Sequence, residues 1–472
     1  MATIKIDAFA GIVPRTHPTL LPDGCAVRAH NCRLKTGVLS PIRQPSMEKS
    51  KVIYLEGGLN KIGDAKSIHL WKRKGGESVF LAWEGIVTVA PSNIADDDLS
   101  RIFVTGETGR MGAEGTSTTE PWFYVYSKSH NALTRVKMLY DTAPKPVVSL
   151  VEEAPSDPDN VRYTFFFQAW VDQYGYESPV SEHSFNTYSQ DPFEVEDGSF
   201  QYSDGDKVGV EAVPDPPGYA ALRRIYKVVA GSEGEQIQYV VEQKRSGGSF
   251  PAMFFALKDD AAGEILPIIN APPKDLSWMS YMPGAFYVGL SPSSPRTVFF
   301  SDVNRPTSWP VFYQYDIRED AVGLAVVGNT ALVLTKGSPW IISGSSPEAM
   351  LVTSTASPQA CVSSRSICTM LGAVFYASAD GICMFTPDSI NVAVLTEKYL
   401  DKREWDELNP ESCFMVPYDN ALHAWFDTKN RGRIGYTIDI NDGVSAITTH
   451  DEVAKGVHYD VETDALYFVR EV

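Results

Sequence analysis

The chain has 472 residues, of which 43% are hydrophobic and 21% charged, and its formal net charge is −18 at pH 7. This composition can bury a large core, which excludes an intrinsically disordered polymer. The acidic balance excludes broad adhesion to nucleic acid, because the phosphate backbone and this protein repel each other.

Aromatic and turn-forming residues point to a mainly β protein. Tyr and Phe contribute 22 residues each, with 35 Gly and 31 Pro, which suits many short strands joined by turns. The N-terminus lacks the basic and apolar regions of a secretory signal, and no apolar run approaches the roughly 20 residues of a membrane span. We therefore expect assembly in a cytoplasm and no stable membrane insertion.

Residues 1–50 are rich in proline and polar turns, and we predict that they form an extended N-terminal arm. Proline restricts φ, which reduces the entropy that an extended segment loses on docking. Two alternatives stay open: the arm docks on a neighbouring subunit, or it gives a strand to its own fold. The candidate interface residues are Phe9, Pro14, Arg15, Leu20, Leu21 and Leu34.

Residues 51–144 contain strand-like runs at 67–71, 78–83, 86–90 and 122–126, which predict the first part of a β-propeller. Between them, residues 106–117 contain four glycines and almost no apolar residue, which predicts a mobile loop. Gly106, Arg110 and Gly112 are candidates for a constriction in a channel. The alternative is a disordered loop in solvent.

A proline-marked boundary at 143–146 opens a separate module, which we assign to residues 145–268. A strand at 163–171 and a hairpin formed by 221–230 and 236–242 are its clearest elements. About seven short strands in ~100 residues predict an immunoglobulin-like or fibronectin-like β-sandwich inserted between two parts of the propeller.

Residues 269–472 repeat a small turn residue, an alanine and a large apolar residue. The repeated alanines are 42 to 48 residues apart, at Ala285, Ala331, Ala373, Ala421 and Ala465. A period of roughly 40–50 residues is typical of four-stranded propeller blades. We therefore predict an interrupted propeller of about six blades, closed by a strand from the N-terminal half.

No motif of an enzyme or of a metal site is recognised in the sequence. Nucleophile elbow, Walker loop, dinucleotide fingerprint and zinc-protease motifs are missing, and eight histidines are scattered without ligand spacing. The six cysteines contain no Cys-x-x-Cys pair, so we expect reduced, packed thiols. We predict no catalytic residues, no cofactor and no metal.

Several segments, in order, resemble the tail nozzle proteins (tail tubular protein B-like) of short-tailed bacteriophages. They include 9–15, 20–24, 29–34, 37–41, 172–179, 224–227, 263–267, 299–302, 334–344, 359–366 and 376–381. The resemblance implies a non-enzymatic virion subunit, six copies of which surround the DNA exit channel below the portal and adaptor rings. It also implies contacts with tail fibre or tail needle proteins, DNA transit without sequence-specific binding, and location in the virion tail.

Two other functions stay open at this stage. The first is a propeller that binds or cleaves carbohydrate, for which the pairs Trp122 with Phe123 and Trp425 with Phe426 could offer stacking surfaces, although blade core is the simpler interpretation. The second is a surface adhesin that uses the sandwich. For a nozzle, the excess of 59 acidic over 41 basic residues predicts a mostly negative channel wall, to which DNA does not adhere.

Overall fold

The computed structural model describes residues 9–42, 45–55, 62–106, 108–110, 117–127, 132–153, 162–186, 200–202, 205–231, 234–257, 263–441 and 443–470. The described chain is mainly β, which confirms the predicted class. Its one α-helix, α1 (Lys402–Glu407), begins at Asp401, whose side chain accepts a hydrogen bond from the Glu404 backbone in a capping box. No helix in the described ranges is long and apolar enough to cross a membrane.

Within the described ranges, forty strands and six short 3₁₀ helices make up the rest of the regular structure. The strands before residue 138 are β1 (Gly11–Ile12), β2 (Cys25–Ala26), β3 (Cys32–Arg33), β4 (Ser40–Pro41), β5 (Val52–Tyr54), β6 (Ser67–Trp71), β7 (Val79–Trp83), β8 (Thr88–Pro91), β9 (Ile102–Thr105), β10 (Thr108–Arg110), β11 (Ser117–Thr119), β12 (Trp122–Ser127) and β13 (Ala132–Lys137). The next nine are β14 (Val147–Glu152), β15 (Arg162–Thr164), β16 (Phe166–Val171), β17 (Phe185–Asn186), β18 (Phe200–Tyr202), β19 (Lys207–Val210), β20 (Leu222–Gly231), β21 (Gly234–Lys244) and β22 (Met253–Ala256). The last eighteen are β23 (Ser277–Met282), β24 (Phe286–Leu290), β25 (Thr297–Phe300), β26 (Gln314–Asp316), β27 (Ala321–Val327), β28 (Thr330–Thr335), β29 (Trp340–Ser343), β30 (Leu351–Ser354), β31 (Cys368–Met370), β32 (Ala373–Ala377), β33 (Ile382–Phe385), β34 (Ala393–Val394), β35 (Phe414–Tyr418), β36 (Ala421–Thr428), β37 (Gly432–Ile440), β38 (Val444–His450), β39 (Ala454–Asp460) and β40 (Ala465–Arg470). The 3₁₀ helices are Pro18–Leu20, Lys35–Gly37, Ile62–Asp64, Val311–Tyr313, Ser364–Ser366 and Pro410–Ser412.

The chain divides into two compact units. Unit two consists of Met138–Pro272 and the short segment Thr307–Val311, and unit one contains the rest. The predicted insert, 145–268, lies inside the long segment of unit two. The short segment was not predicted, and it joins this unit because the Trp309 amide donates to the Asn270 carbonyl at 2.8 Å.

Unit one is built of small sheets, most of which follow one another along the chain. Four antiparallel sheets are formed by β8, β9, β12 and β13, by β23–β26, by β27–β30 and by β31–β34. The first sheet has the order β5-β7-β6, and the C-terminal hairpin is β39–β40. The final sheet has the order β2-β1-β38-β37-β36-β35, so strands from both ends of the chain share it.

Neighbouring sheets of unit one pack on each other in chain order. One apolar core lies between the sheet β5-β7-β6 and the sheet of β8, β9, β12 and β13. A second core lies between β23–β26 and β27–β30, and a third between β27–β30 and β31–β34. A fourth lies between β31–β34 and the final sheet. The rings of Phe103 in β9 and Tyr287 in β24, whose centres are 5.3 Å apart, connect the sheet of β8, β9, β12 and β13 to the sheet β23–β26. The C-terminal hairpin packs on the first sheet, where the rings of Phe80 and Tyr467 are 5.0 Å apart.

The alanine repeat marks the tight turn between the first two strands of successive sheets. Strands β24, β28, β32, β36 and β40 each begin at or next to the repeated alanine. Left-handed backbone conformations occur at Leu371 and Gly372 and again at Asp419 and Asn420. Two consecutive positive φ angles are the geometry of the two-residue hairpin turn that matches strand twist, which explains Gly372, Asp419 and Asn420 at these positions.

Unit two contains two larger sheets that share an apolar core. One has the order β17-β14-β19-β22, the other has the order β16-β20-β21, and β15 pairs with β18. The core side chains come from both larger sheets, with Val148, Val208 and Val210 on one side and Phe166 and Ile225 on the other.

Candidate interface and channel residues

The predicted arm lies on the final sheet of its own chain. Strand β1 pairs in parallel with β38, with Gly11 opposite Ile447, and His30 bridges to Thr449. Gly11 has φ +82°, and a Cβ at this position would lie 2.2 Å from the Ile447 carbonyl oxygen. Only glycine combines this conformation with so close an approach of two backbones. Of the two alternatives for the arm, this arrangement is the one in which it completes its own fold.

The six predicted interface residues divide into buried and exposed positions. Leu34 is only 4% exposed, so it is a buried anchor of the arm, and Ile12 and Ala29 of the arm belong to the apolar core of the final sheet. Leu21 is half-buried. Leu20 is 74% exposed and Phe9 37%, and Pro14 and Arg15 are exposed. The exposed members are the ones available to a partner.

Arg15 holds the arm to the segment before α1. Its Nη1 donates to the Glu397 carbonyl at 2.5 Å, and its amide donates to the Tyr399 carbonyl at 3.0 Å. Arg15 is nevertheless exposed to solvent. Arg15 therefore has a structural role that does not remove it from the surface.

Two ion pairs and a histidine–carboxylate contact, none of them predicted from the sequence, also hold the arm. Arg33 Nη2 lies 2.8 Å from Asp439 Oδ1, Lys35 pairs with Asp419, and His30 Nε2 lies 3.0 Å from Asp451 Oδ1. Burial raises the pKa of Asp439, and the Arg33 guanidinium counteracts part of that rise. The sequence feature that could have predicted these contacts is the basic character of the arm in a strongly acidic chain.

The predicted channel loop, 106–117, contains regular structure. Gly106 has φ +83° at the end of β9, and a Cβ there would lie 2.8 Å from the Ile86 carbonyl oxygen. Strands β10 and β11 form a hairpin with Arg110 opposite Ser117. The sequence did not predict these two strands, because their Thr, Gly and Ser residues carry no apolar alternation, and the mobility of the loop stays a prediction. Gly112 lies outside the described residues.

Two segments that carry the family resemblance meet inside unit two. Asp172 accepts hydrogen bonds from the amides of Tyr174 and Tyr176 and from the Tyr140 hydroxyl, at 2.8 to 2.9 Å. Glu177 accepts from Arg224 Nη1 at 3.1 Å and from the Tyr226 hydroxyl.

These contacts are made in a buried setting. Burial raises the pKa of Asp172 and of Tyr226, and the charge of Glu177 raises that of Tyr226 further. The network fixes the turn at 172–177 against β20, which is a structural role.

The two aromatic pairs considered for carbohydrate stacking are largely covered. Phe123, Trp425 and Phe426 are buried, and the Arg135 guanidinium lies 3.6 Å from the centre of the half-buried Trp122 ring. Neither pair offers two exposed ring faces. The interpretation as sheet core agrees with this burial.

Titratable side chains form no recognisable metal centre in the described ranges, where no group of three or more His, Cys, Asp or Glu could hold an ion. All six cysteines are free, and Cys361, Cys383 and Cys413 are buried. Burial raises the pKa of Cys361 to about 12 and that of Cys383 to about 11. These thiols are packing groups without nucleophilic character.

Comparisons with known proteins give no assignment. No protein-family model and no curated protein sequence matches the chain. BBS1N, in its complex with ARL6DN, is 12% identical with a TM-score of 0.27, over 50% of this chain and 79% of that one. The glutaminyl cyclase of Myxococcus xanthus is 11% identical with a TM-score of 0.23, over 39% and 81%. The AfRom2 CNH domain is 10% identical with a TM-score of 0.25, over 51% and 82%. TM-scores this low carry no argument about fold or function.

Proposed function

We propose that unit one is a closed β-propeller and that unit two is a β-sandwich inserted into it. The successive packing of sheets along the chain supports the propeller, together with the contact between the C-terminal hairpin and the first sheet. Two sheets around one core support the sandwich. Closure would involve side-chain packing by the C-terminal hairpin as well as the arm strand on the final sheet.

On this basis the chain is a structural subunit of the virion tail of a short-tailed bacteriophage. Six copies form the nozzle ring below the portal and adaptor, surround the exiting DNA, and dock tail fibre or needle proteins. The observation that carries this proposal is the agreement between the resemblance and the geometry of the arm, where Gly11 belongs to the resembling segment and allows the close backbone approach to β38.

A ring that conducts DNA needs a wall to which the duplex does not adhere. Duplex DNA carries one negative charge per about 1.7 Å, and basic walls would bind it through counterion release. The net charge of −18 favours free passage. Basic side chains would then be reserved for contacts with protein groups, as Arg33 and Lys35 of the arm are paired with Asp439 and Asp419.

Electron microscopy of the purified protein and of its virion tests the proposal. We expect closed rings of six copies in class averages, and antibody labelling at the tail below the head. Deletion of residues 1–40 should reduce ring formation or virion incorporation more than folding. A protein that stays monomeric at high concentration and is missing from the tail would refute the nozzle function.

A glycan array distinguishes the carbohydrate alternative. Because the aromatic pairs are covered, we expect no retention of the protein on any glycan. Specific retention that is lost on Trp122→Ala and kept in Trp170→Phe, a buried tryptophan of unit two that stacks on Phe250, would favour the alternative function.

A further inference from the structure

Two histidine rings meet where the C-terminal hairpin packs on the first sheet. His69 lies in β6 and His458 in β39, and the centres of their rings are 4.8 Å apart in an edge-to-face arrangement. The two strands belong to separate sheets, so no β-ladder joins them. Side-chain contacts therefore hold this part of the hairpin in place, and we call the pair the histidine contact.

The charged groups beside the histidine contact are paired with each other. Lys72 Nζ lies 2.6 Å from Asp460 Oδ1 and 2.7 Å from Glu462 Oε2, which links the end of the first sheet to the hairpin. Asp460 and Lys72 act on His458 with opposite signs, and the charge that acts on His69 is that of His458. Proton uptake by either ring would therefore find the nearest carboxylates already paired with a lysine.

Other titratable groups lie on the elements packed around the histidine contact. They are Asp64, Lys66, Arg365, Tyr418, Lys455, Tyr459 and Tyr467. The Arg365 guanidinium donates to the carbonyls of Lys66 and Lys455, and so adds positive charge near the joint. The acidic member of this set, Asp64, is exposed. None of these residues offers a buried carboxylate to an imidazolium ion.

Burial keeps both rings of the histidine contact neutral in the folded protein. It lowers the pKa of His69 from 6.5 to about 3, with a smaller contribution from His458, and it lowers the pKa of His458 to about 4. Once the hairpin separates from the first sheet, water reaches both rings, which then take up protons below about pH 6.5. Two imidazolium ions at this distance would also repel each other. Protons therefore favour the separated state.

We propose that the histidine contact is an acid-sensitive switch, which lets the C-terminal hairpin separate from the first sheet at mildly acidic pH while the other sheets of unit one stay folded. At neutral pH the hairpin is held by the apolar core that includes Val469 and by the contact between the Phe80 and Tyr467 rings. The inference rests on this observed contact and goes beyond the nozzle function.

The pH window separates the histidines from the neighbouring ion pair. Burial raises the pKa of Asp460, but hydrogen bonds from Lys72 and Thr463 outweigh that effect and lower the pKa to about 2. A carboxylate with a lowered pKa loses its stabilising contribution only as the pH falls below about 4. Between pH 6.5 and 5 the histidines are therefore the groups of this joint that gain protons on separation.

The expected effect is a change in the opening constant, the ratio of separated to packed hairpin. Between pH 7.5 and 5, one histidine that regains its ordinary pKa on separation raises this constant by up to about 30-fold, and two raise it by up to about 1,000-fold. His69 and His458 are half-buried, so part of this gain is already present in the packed state. We expect an increase of at least about tenfold.

Hydrogen exchange of the full-length protein between pH 7.5 and 5.0 tests the inference. Each exchange rate is divided by the intrinsic rate at the same pH, so that the ratio reports the opening constant. We expect the protection of residues 454–470 to fall at least about tenfold over this range, while that of residues 321–385 stays constant. The logarithm of the opening constant should change by nearly two per pH unit between pH 6 and 5, because two protons are taken up.

Glutamine variants identify the groups that take up these protons. His69→Gln and His458→Gln should each reduce the pH slope toward one, and the double variant should reduce it toward zero. His423→Gln is the matched control, because burial also lowers the pKa of His423 to about 3, but its Nδ1 contacts Thr437 Oγ1 at 3.3 Å within the final sheet. This control should keep the wild-type slope in the hairpin.

The outcomes decide the inference separately from the nozzle function. A hairpin whose protection does not depend on pH would overturn it, and so would an equal loss of protection in residues 321–385. A wild-type slope that persists in the double variant would also overturn it. If the glutamine variants fail to fold, the wild-type slope decides alone. A protein that forms no rings but whose hairpin separates in acid refutes the nozzle function and supports the switch.

Discussion

Substitution of Gly11 by alanine should release the arm from the final sheet while the rest of unit one stays folded. The residue has φ +82°, and the left-handed conformation costs a non-glycine residue roughly 1–2 kcal/mol. The new Cβ would also lie 2.2 Å from the Ile447 oxygen and 2.8 Å from the Ile447 nitrogen. The first effect is a modest strain, but the second is a clash with backbone.

The clash decides the outcome because neither β1 nor β38 can shift far enough to relieve it while their pairing is kept. Contact at van der Waals distance requires a shift of more than about 1 Å, whereas ladder hydrogen bonds tolerate only a few tenths of an ångström. Strand β1 would therefore leave β38 and expose Ile12, which is 8% exposed in the docked arm. Burial of one such side chain stabilises by about 1.5–3 kcal/mol, and release of β1 therefore costs at least that much.

Hydrogen exchange and limited proteolysis measure this release. In Gly11→Ala we expect fast exchange across 9–42 and rapid tryptic cleavage after Arg28 and Arg33, with unchanged protection in β27–β33. Gly432→Ala is the matched control, since Gly432 has φ +71° but nothing lies within 4 Å of a Cβ there. Wild-type protection of the arm in Gly11→Ala, or equal exposure in both variants, would refute the reasoning.

Three further predictions concern the body of the protein. Gly435→Ala should lower the free energy of unfolding by more than 3 kcal/mol in chemical denaturation, since its Cβ would lie 2.1 Å from the His450 ring; a loss below 1 kcal/mol would contradict this. Burial lowers the pKa of His69 to about 3 and that of His458 to about 4, so the folded protein keeps both neutral while the unfolded chain takes up protons below about pH 6.5. Stability should thus fall as the pH drops from about 6.5 toward 4, and His69→Gln with His458→Gln should recover about 1 kcal/mol per residue in thermal melts near pH 4.5; an unchanged pH profile would speak against this. Cys361 and the other two buried thiols should react with Ellman's reagent only after denaturation, and their prompt reaction in the native protein would argue against the packing described.

Local features of the fold could be predicted from sequence because their causes are local. The alanine repeat reports the positive φ angles of hairpin turns, such as those at Asp419 and Asn420, and turn chemistry is encoded in two or three neighbouring residues. The strand at 163–171 was equally visible, since an aromatic apolar run bounded by turns fits β16 and the end of β15.

Contacts between distant parts of the chain could not be predicted in the same way. The pairing of Gly11 with Ile447 and of Arg33 with Asp439 has no periodic signal, because any of many acidic residues could have been the partner. The hairpin β10–β11 was not predicted because the residues of its strands, Thr108–Arg110 and Ser117–Thr119, show no apolar alternation along the sequence. The short segment at 307–311 belongs to unit two through hydrogen bonds from Trp309 and Ser308 to the backbone at 268–270, which local patterning does not encode.

The parallel pairing of β1 with β38 also determines the order of events during synthesis. His30 and Thr449, which bridge in the folded protein, are 419 residues apart along the chain. At roughly 5–20 residues per second, the ribosome needs about 20–80 s between making the arm and making the strand that receives it. During that interval the arm can find its place only on a chain that has already been completed. Polysomes that translate this protein therefore bring nascent arms close to finished subunits before each new chain can form its own final sheet.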